Sequence, residues 1–394
     1  MASSAVEHAD ESFPWHLGVY DAHCHPTDTV SSLDTIPRMK TRALTVMGTR
    51  AQDQELVADF AGKFGFDRTS SENPDSHCRL VPAFGWHPWF AHQIYDDLSN
   101  SRRLTNLPPS KDDHYRNVIS PSPDDDKFLI SLPQPFPLSA LLDQVRTHVQ
   151  EHPISVVGEI GLDSTFRIPG TEILHNDYEP DPLLTPGGRE GRRLSKYRVN
   201  IDHQRRILTM QLSIAGELQR AVSVHGVAAH GILFDTLRDT WRGHERPNLS
   251  KRAKKRQTSV GATHDHEEIA DATDAKKVHD AVPLPFPPRI CLHSYSGTAD
   301  TLKLYLHPSI PATIFFSFSH LVNFSNPSNK AVGVIKAIPN NRILAESDLH
   351  AAGGRMDELM EEIVRKICDI KGWSLVEGVN QLASNWKEFI FGDA

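Results

Sequence analysis

Ser155-Val156-Val157-Gly158-Glu159 is a short apolar run that ends on a carboxylate. Tyr20-Asp21-Ala22-His23-Cys24-His25 and Arg289-Ile290-Cys291-Leu292-His293 repeat the pattern with imidazoles at the end. A glutamate closing an otherwise apolar strand is costly unless it is paired or bound to a cation. Metal-binding side chains on the ends of several strands have a natural meeting place, because in a closed β/α barrel all C-terminal strand ends open into one mouth.

Working outward from these runs, short apolar or β-branched stretches predict eight strands, at 17–22, 43–48, 79–85, 154–160, 221–225, 289–293, 313–319 and 342–346. Helical patterns fall between several of them, at 51–63, 139–151, 203–219, 298–306 and 329–338, and two more, about 355–370 and 374–383, close the chain. Strand and helix alternating about eight times predict a single (β/α)8 TIM-like barrel over residues 1–394, with a core of about 17–391. Three polar, Pro- and Gly-rich stretches interrupt the alternation, at about 92–137, 164–198 and 236–284. They follow strands 3, 4 and 5, so they are expected to overhang the mouth as long loops without regular structure of their own.

Composition narrows the class. With 39% hydrophobic and 23% charged residues the chain can bury one large core. The net charge of −8 argues against a surface that coats nucleic acid generally, and a polyanion would have to be met by a local basic patch. No stretch reaches the roughly 18 apolar residues of a membrane span, and Met1 to Glu11 lacks the basic and apolar regions of a secretory signal. Four cysteines, Cys24, Cys78, Cys291 and Cys368, without CxxC spacing predict reduced thiols in a cytoplasmic or nuclear protein.

The His23-Cys24-His25 pair puts two imidazoles on one face of an extended segment, since alternate side chains share a face. Alone it says little: 22 His in 394 residues give roughly one such pair by chance. A second pair, His264 and His266, has no strand before it and reads as a solvated loop. What distinguishes the first is its company. Glu159, His225 and His293 each end an apolar run, and Asp348 follows the last one, where it would also pass as a helix cap. Four His and two carboxylates exceed the three protein ligands of a typical catalytic zinc site, whereas two ions bridged by a carboxylate use all six. Imidazole and carboxylate together suit Mg, Mn or Zn.

Gly85-Trp86-His87-Pro88-Trp89 adds an imidazole and two indoles at the end of strand 3. These are either a wall against bases or phosphates, with Trp86 and His87 touching substrate, or a hydrophobic plug. Arg192, Arg193 and Lys196 form a basic cluster in the strand-4 insert that could meet phosphates, and Lys251 to Arg256 form another run that reads as solvated.

Taken together, Asp21 to His25, Gly85-Trp86-His87-Pro88, Gly158-Glu159-Ile160-Gly161-Leu162-Asp163, Gln204 to Gly226, His293-Ser294-Tyr295-Ser296-Gly297 and Glu346-Ser347-Asp348 resemble the TatD-like metal-dependent hydrolases of the amidohydrolase superfamily, in that family's order across about 21–350. The resemblance implies one ion on His23, His25, Glu159 and Asp348 and a second on Glu159, His225 and His293, with Asp348 also activating water. It implies a divalent-metal deoxyribonuclease, often a 3′-5′ exonuclease, acting on DNA ends. Ser347 stands where the family usually has Thr, and Leu349-His350 where it usually has Pro and an aromatic. The long inserts resemble a fungal branch whose members are often described by interaction with a cell-cycle complex, so the 236–284 stretch is a candidate partner surface. Two alternatives share the barrel: amide or ester hydrolysis of a small molecule, and a protein-interaction scaffold. Superfamily members doing the former often use a carboxylated lysine on strand 4, where this chain has Glu159.

Overall fold

In the computed structural model, which describes residues 12–65, 78–99, 108–174, 181–247, 284–325 and 330–392, eight parallel strands follow one another around a sheet in chain order. They are β1 (Tyr20–Cys24), β2 (Ala43–Met47), β3 (Arg79–Phe84), β4 (Val156–Asp163), β5 (Val222–Val227), β6 (Arg289–Leu292), β7 (Thr313–Phe318) and β8 (Ile343–Ala345). Just past β8 the chain returns to β1, where the Asp348 N–H donates to the His23 carbonyl at 3.0 Å and the His25 N–H to the Leu349 carbonyl at 2.9 Å. The result is a nearly closed (β/α)8 barrel, as the alternation of strand and helix predicts.

Strand ends shift for identifiable reasons. β1 starts three residues later than expected, since Trp15–Leu17 forms a 3-10 turn closed at Gly18, whose φ of 91° suits glycine. β4 runs on to Asp163, pairing Gly161, Leu162 and Asp163 with His225, Gly226 and Val227 of β5. Gly161 permits this at a φ of 155°, where a Cβ would collide with the His225 carbonyl. Glu159 therefore sits inside β4 rather than at its tip.

The barrel interior at the end away from the mouth is sealed by the C-terminal helix (Leu375–Phe391), which extends eight residues beyond its expected end. Trp386, Phe389 and Ile390 pack against Tyr20, Ala43, Val81, Val156, Cys291, Phe315 and Leu344, from seven of the eight strands. Trp386 stacks on Tyr20 at 4.6 Å and donates its indole N–H to Thr45 Oγ1 at 3.1 Å. Truncation there leaves a large cavity and removes the one bond that Thr45 Oγ1 accepts from the indole, while its own bond to the Asp21 carbonyl at 2.9 Å stays. Trp386→Ala is expected to cost about 3–5 kcal/mol of stability, read as a lower urea midpoint at unchanged slope; a change under about 1 kcal/mol would deny the helix this role.

The inserts are more ordered than the sequence suggests. Within 92–137 lie two helices, Lys111–Val118 capped by Ser110 and Asp126–Ser131 capped by Asp125. A helix at His230–Thr240, not anticipated, occupies the start of the 236–284 stretch. The inserts after β3 and β4 join one another: Ile119–Ser120 pairs antiparallel with Arg198–Val199, and Phe128 lies 4.4 Å from the Tyr197 ring. Farther along, residues 183–187 reach the ends of β1 and β2. Val30 N–H donates to the Leu183 carbonyl at 2.9 Å, and the Arg50 guanidinium to the Pro186 and Thr185 carbonyls at 3.0 and 3.2 Å and to Asp28 Oδ1 at 2.8 Å. A raised wall thus runs along the β1–β4 side of the mouth. Residues 251–256 and the His264/His266 pair lie outside the described residues. All four cysteines are buried free thiols, and no described helix is long and apolar enough to cross a membrane.

Candidate metal centre

Glu159 projects from β4 into the mouth, and its two carboxylate oxygens face two different groups of donors. Oε2 lies 3.4 Å from His23 Nε2 and 3.3 Å from His25 Nε2, and Asp348 Oδ1 completes this group at 3.5 Å from His25 Nε2. Oε1 lies 2.8 Å from both His225 Nδ1 and His293 Nε2, which are 3.1 Å apart. An irregularity in the β1–β2 register between Asp21 and Cys24 explains the first group: Tyr20 and Ala22 face the barrel interior, Cys24 turns into the outer core, and His23 and His25 on either side of it share the inward face. Register explains the second, since Val224 of β5 pairs with Leu292 of β6, which sets the residues that follow, His225 and His293, at the same height.

The rings are held by their remaining nitrogens. His23 Nδ1 meets Ser223 Oγ at 2.8 Å, and His225 Nε2 meets Asp163 Oδ2 at 3.3 Å, so each presents its other nitrogen to Glu159. Such outer partners fix tautomer and orientation in metal sites. His293 Nδ1 has Glu346 Oε1 at 3.7 Å, and that oxygen is itself held by the Ser294 N–H at 2.7 Å. Neither Asp163, Ser223 nor Glu346 stood out as a site residue in the sequence, although Asp163 closes the Gly158–Asp163 motif.

Five of these groups are nearly inaccessible: His23 is 0% exposed, Glu159 2%, His25 6%, His225 7% and His293 8%. The Asp348 side chain, at 16%, is the one that solvent reaches. Its φ of 53° is a left-handed conformation that Asp tolerates better than most residues and that turns the carboxylate back over the mouth. Burial raises the pKa of both carboxylates, but the surrounding imidazoles outweigh it and hold Glu159 and Asp348 below the usual carboxylate range. Burial likewise opposes charge on His25, yet Asp348 and Glu159 lift it to about 9. A buried nest of carboxylate oxygens and imidazole nitrogens is a donor set that fits divalent cations, which bind by displacing the proton that His25 otherwise holds.

His87 is placed differently from the substrate-facing role the sequence suggests. It is 3% exposed, with Nε2 3.1 Å from Glu159 Oε1. Its Nδ1 accepts the backbone N–H of Trp89 at 3.2 Å, and a backbone N–H can only donate. Burial drives the imidazole pKa down to about 4, so the ring is neutral and its one proton sits on Nε2. His87 therefore donates to Glu159 and offers no lone pair there, which makes it an orienter of the carboxylate.

The remaining expected substrate contacts divide. Trp86, 1% exposed, packs edge-on against Phe136 and has its backbone N–H bound by Gln211 Oε1 at 2.7 Å, so of the two readings open to it, it takes the plug. Arg192 is half-buried and donates to the Gly188 carbonyl at 2.9 Å, Lys196 pairs with Asp124 at 3.3 Å, and Arg193 is exposed. The structure does not gather these three at the metal ligands; they belong to the wall. His350 does reach the mouth: its ring stacks on His25 at 5.2 Å and its Nδ1 meets Asp28 Oδ2 at 2.7 Å.

Comparison with known proteins bears on this geometry. The family model described as TatD-related DNase matches residues 20–391. The Cut9-interacting protein scn1 of Schizosaccharomyces pombe is 32% identical over 372 residues, 94% of this chain and 98% of that protein. An uncharacterized deoxyribonuclease of Saccharomyces cerevisiae is 26% identical over 335 residues, 83% of this chain and 82% of its own. The crystal structure of an uncharacterized amidohydrolase from Saccharomyces cerevisiae shares the fold at a TM-score of 0.51 and 14% identity, covering 94% of this chain and 99% of that one. A match that runs from the first residue of β1 to the end of the C-terminal helix, taking in every donor around Glu159, shows that the chain belongs to the TatD-related DNases.

Proposed function

We propose that the chain is a divalent-metal-dependent deoxyribonuclease that hydrolyses phosphodiester bonds at 3′ ends of single-stranded or frayed DNA, in the 3′-5′ direction. The observation that carries this reading is the division of Glu159, one oxygen toward His23, His25 and Asp348 and the other toward His225 and His293. On it, His23, His25, Glu159 and Asp348 hold one cation, and Glu159, His225 and His293 a second, of Mg, Mn or Zn. Cations held there stabilise charge that builds on the phosphate and make water easier to deprotonate. Asp348 takes the proton of the attacking water: it is ionised, solvent-facing, and steadied by Ser294 Oγ at 3.4 Å. His87 and Asp163 keep Glu159 and His225 in register while the barrel floor excludes other water. The wall on the β1–β4 side favours a strand end over a duplex running through, and Arg192, Arg193 and Lys196 on it supply phosphate contacts.

The test is hydrolysis of short 5′-labelled single strands by the purified protein across Mg, Mn and Zn, with products read by length. Stepwise shortening from the 3′ end is expected, abolished by chelation. Affinity should fall with salt at a slope of roughly 0.7 per contacted phosphate, flattened when Arg192, Arg193 and Lys196 are neutralised together. Cleavage confined to small amides or esters would replace this reading.

The 32% identity to a protein named for interaction with Cut9 supports a second property, a protein partner bound alongside catalysis. Its surface falls to the 236–284 stretch, of which 248–283 lie outside the described residues. Buried free thiols fit work in the cytoplasm or nucleus.

A further inference from the structure

One stacked aromatic pair at the mouth belongs to neither proposed cation group. Trp89, just after β3, and Phe166, just after β4, lie face to face with ring centroids 4.5 Å apart and planes 10° from parallel. Both are half-buried, and neither joins the hydrophobic clusters that fill the barrel and its flanks. Trp89 meets the His87 ring edge-on at 4.7 Å, but the hydrophobic core does not account for two large rings stacked on each other beside a reaction centre.

Their placement is fixed by Asp163. The Trp89 indole N–H donates to Asp163 Oδ2 at 2.7 Å, and the same oxygen lies 3.3 Å from His225 Nε2. Asp163 Oδ1 accepts the Phe166 N–H at 3.0 Å and the Thr165 N–H at 2.7 Å. One carboxylate thus sets the aromatic pair and His225 together, leaving the indole centroid 6.0 Å from the His225 ring. The pair is a rigid, flat π surface at a set distance from the His225 and His293 side of Glu159.

We propose that Trp89 and Phe166 form a stacking platform for the nucleobase next to the scissile phosphate, so that a single-stranded end is recognised by a base held against these rings. The inference rests on the deoxyribonuclease reading and adds to it a specificity determinant. Stacking suits the task because every base has a π face, which makes such a platform tolerant of sequence while demanding an unpaired base. A second strand would have to be peeled away first.

The experiment uses the metal-loaded full chain on single-stranded DNA whose 3′-terminal or penultimate nucleotide is either natural or abasic. At one of the two positions the natural strand is expected to be cleaved with about 10- to 100-fold higher kcat/KM than its abasic counterpart, mostly through KM. Phe166→Ala should shrink that preference to about threefold or less, lowering kcat/KM on the natural strand much more than on the abasic one. Phe166→Leu, which keeps apolar bulk without a π face, serves if the alanine variant fails to fold and should behave the same way. Equal cleavage of natural and abasic ends at both positions by the wild type would overturn the platform while leaving the nuclease reading intact. A preference that persists in the leucine variant would overturn it too. No cleavage of any DNA under any metal would remove the nuclease reading and the platform with it.

Discussion

Glu159→Gln is expected to lose at least one equivalent of bound divalent metal and to hydrolyse at least about a thousandfold more slowly, roughly 4 kcal/mol on the barrier. The reason lies in the two-sided use of the side chain. Oε1 and Oε2 are each within 3.4 Å of a separate pair of imidazole nitrogens, so both faces of the group are engaged. Glutamine has the same shape but no charge, so both groups of donors lose their anion, and one of its faces is an NH2, which repels a cation and cannot accept the His87 proton. The fold should persist, because Glu159 contributes no packing to the barrel floor. Elemental analysis after desalting reads the first effect and single-turnover hydrolysis the second. Thermal melts with and without divalent metal give a third reading. A cation at a hundred times its dissociation constant stabilises the native chain by about 2.7 kcal/mol, and the variant should lack most of that gain. Wild-type metal content and turnover in a folded variant would remove Glu159 from the centre.

Much of this was legible because a barrel strand buried on both faces is an apolar run whatever its neighbours. A polar residue that ends such a run therefore announces itself. His23, His25, Glu159, His225, His293 and Asp348 could all be read that way, since each follows Val, Ile, Leu or Ala positions that the structure buries. What could not be read depends on contacts between distant segments. The Ile119–Ser120 and Arg198–Val199 pairing joins two inserts nearly 80 positions apart, through two-residue strands too short to carry a pattern. The His87 assignment turns on a proton, donated by the backbone of Trp89, that no sequence spacing reveals. The helix at His230–Thr240 was hidden by Gly231 in its first turn and by an apolar stripe of only Leu233, Leu237 and half-buried neighbours. Asp163 binds Trp89, His225, Thr165 and the Phe166 backbone at once, yet in the sequence it is one carboxylate at the end of a strand.

Asp348→Asn separates chemistry from binding. As the solvent-facing carboxylate of the centre, Asp348 is the group an attacking water meets. Asparagine keeps an oxygen toward His25 and fits the same left-handed backbone, but it cannot take a proton. General-base catalysis is worth about 10²- to 10⁴-fold, so kcat should fall by that amount while the affinity for single-stranded DNA changes only a few-fold. The contrast with Glu159→Gln is what gives the test its force. Metal loss is the primary effect there, and raising the metal concentration should restore part of the activity. In Asp348→Asn the first cation keeps His23, His25 and Glu159, so metal content should fall less than in Glu159→Gln, and metal at saturation should restore little turnover, because the missing function is the proton acceptor. An Asp348→Asn enzyme that recovers full turnover at high metal would show that Asp348 serves only as a ligand. One that turns over normally without added metal would leave it merely the residue that closes β8 onto β1, through its N–H to the His23 carbonyl.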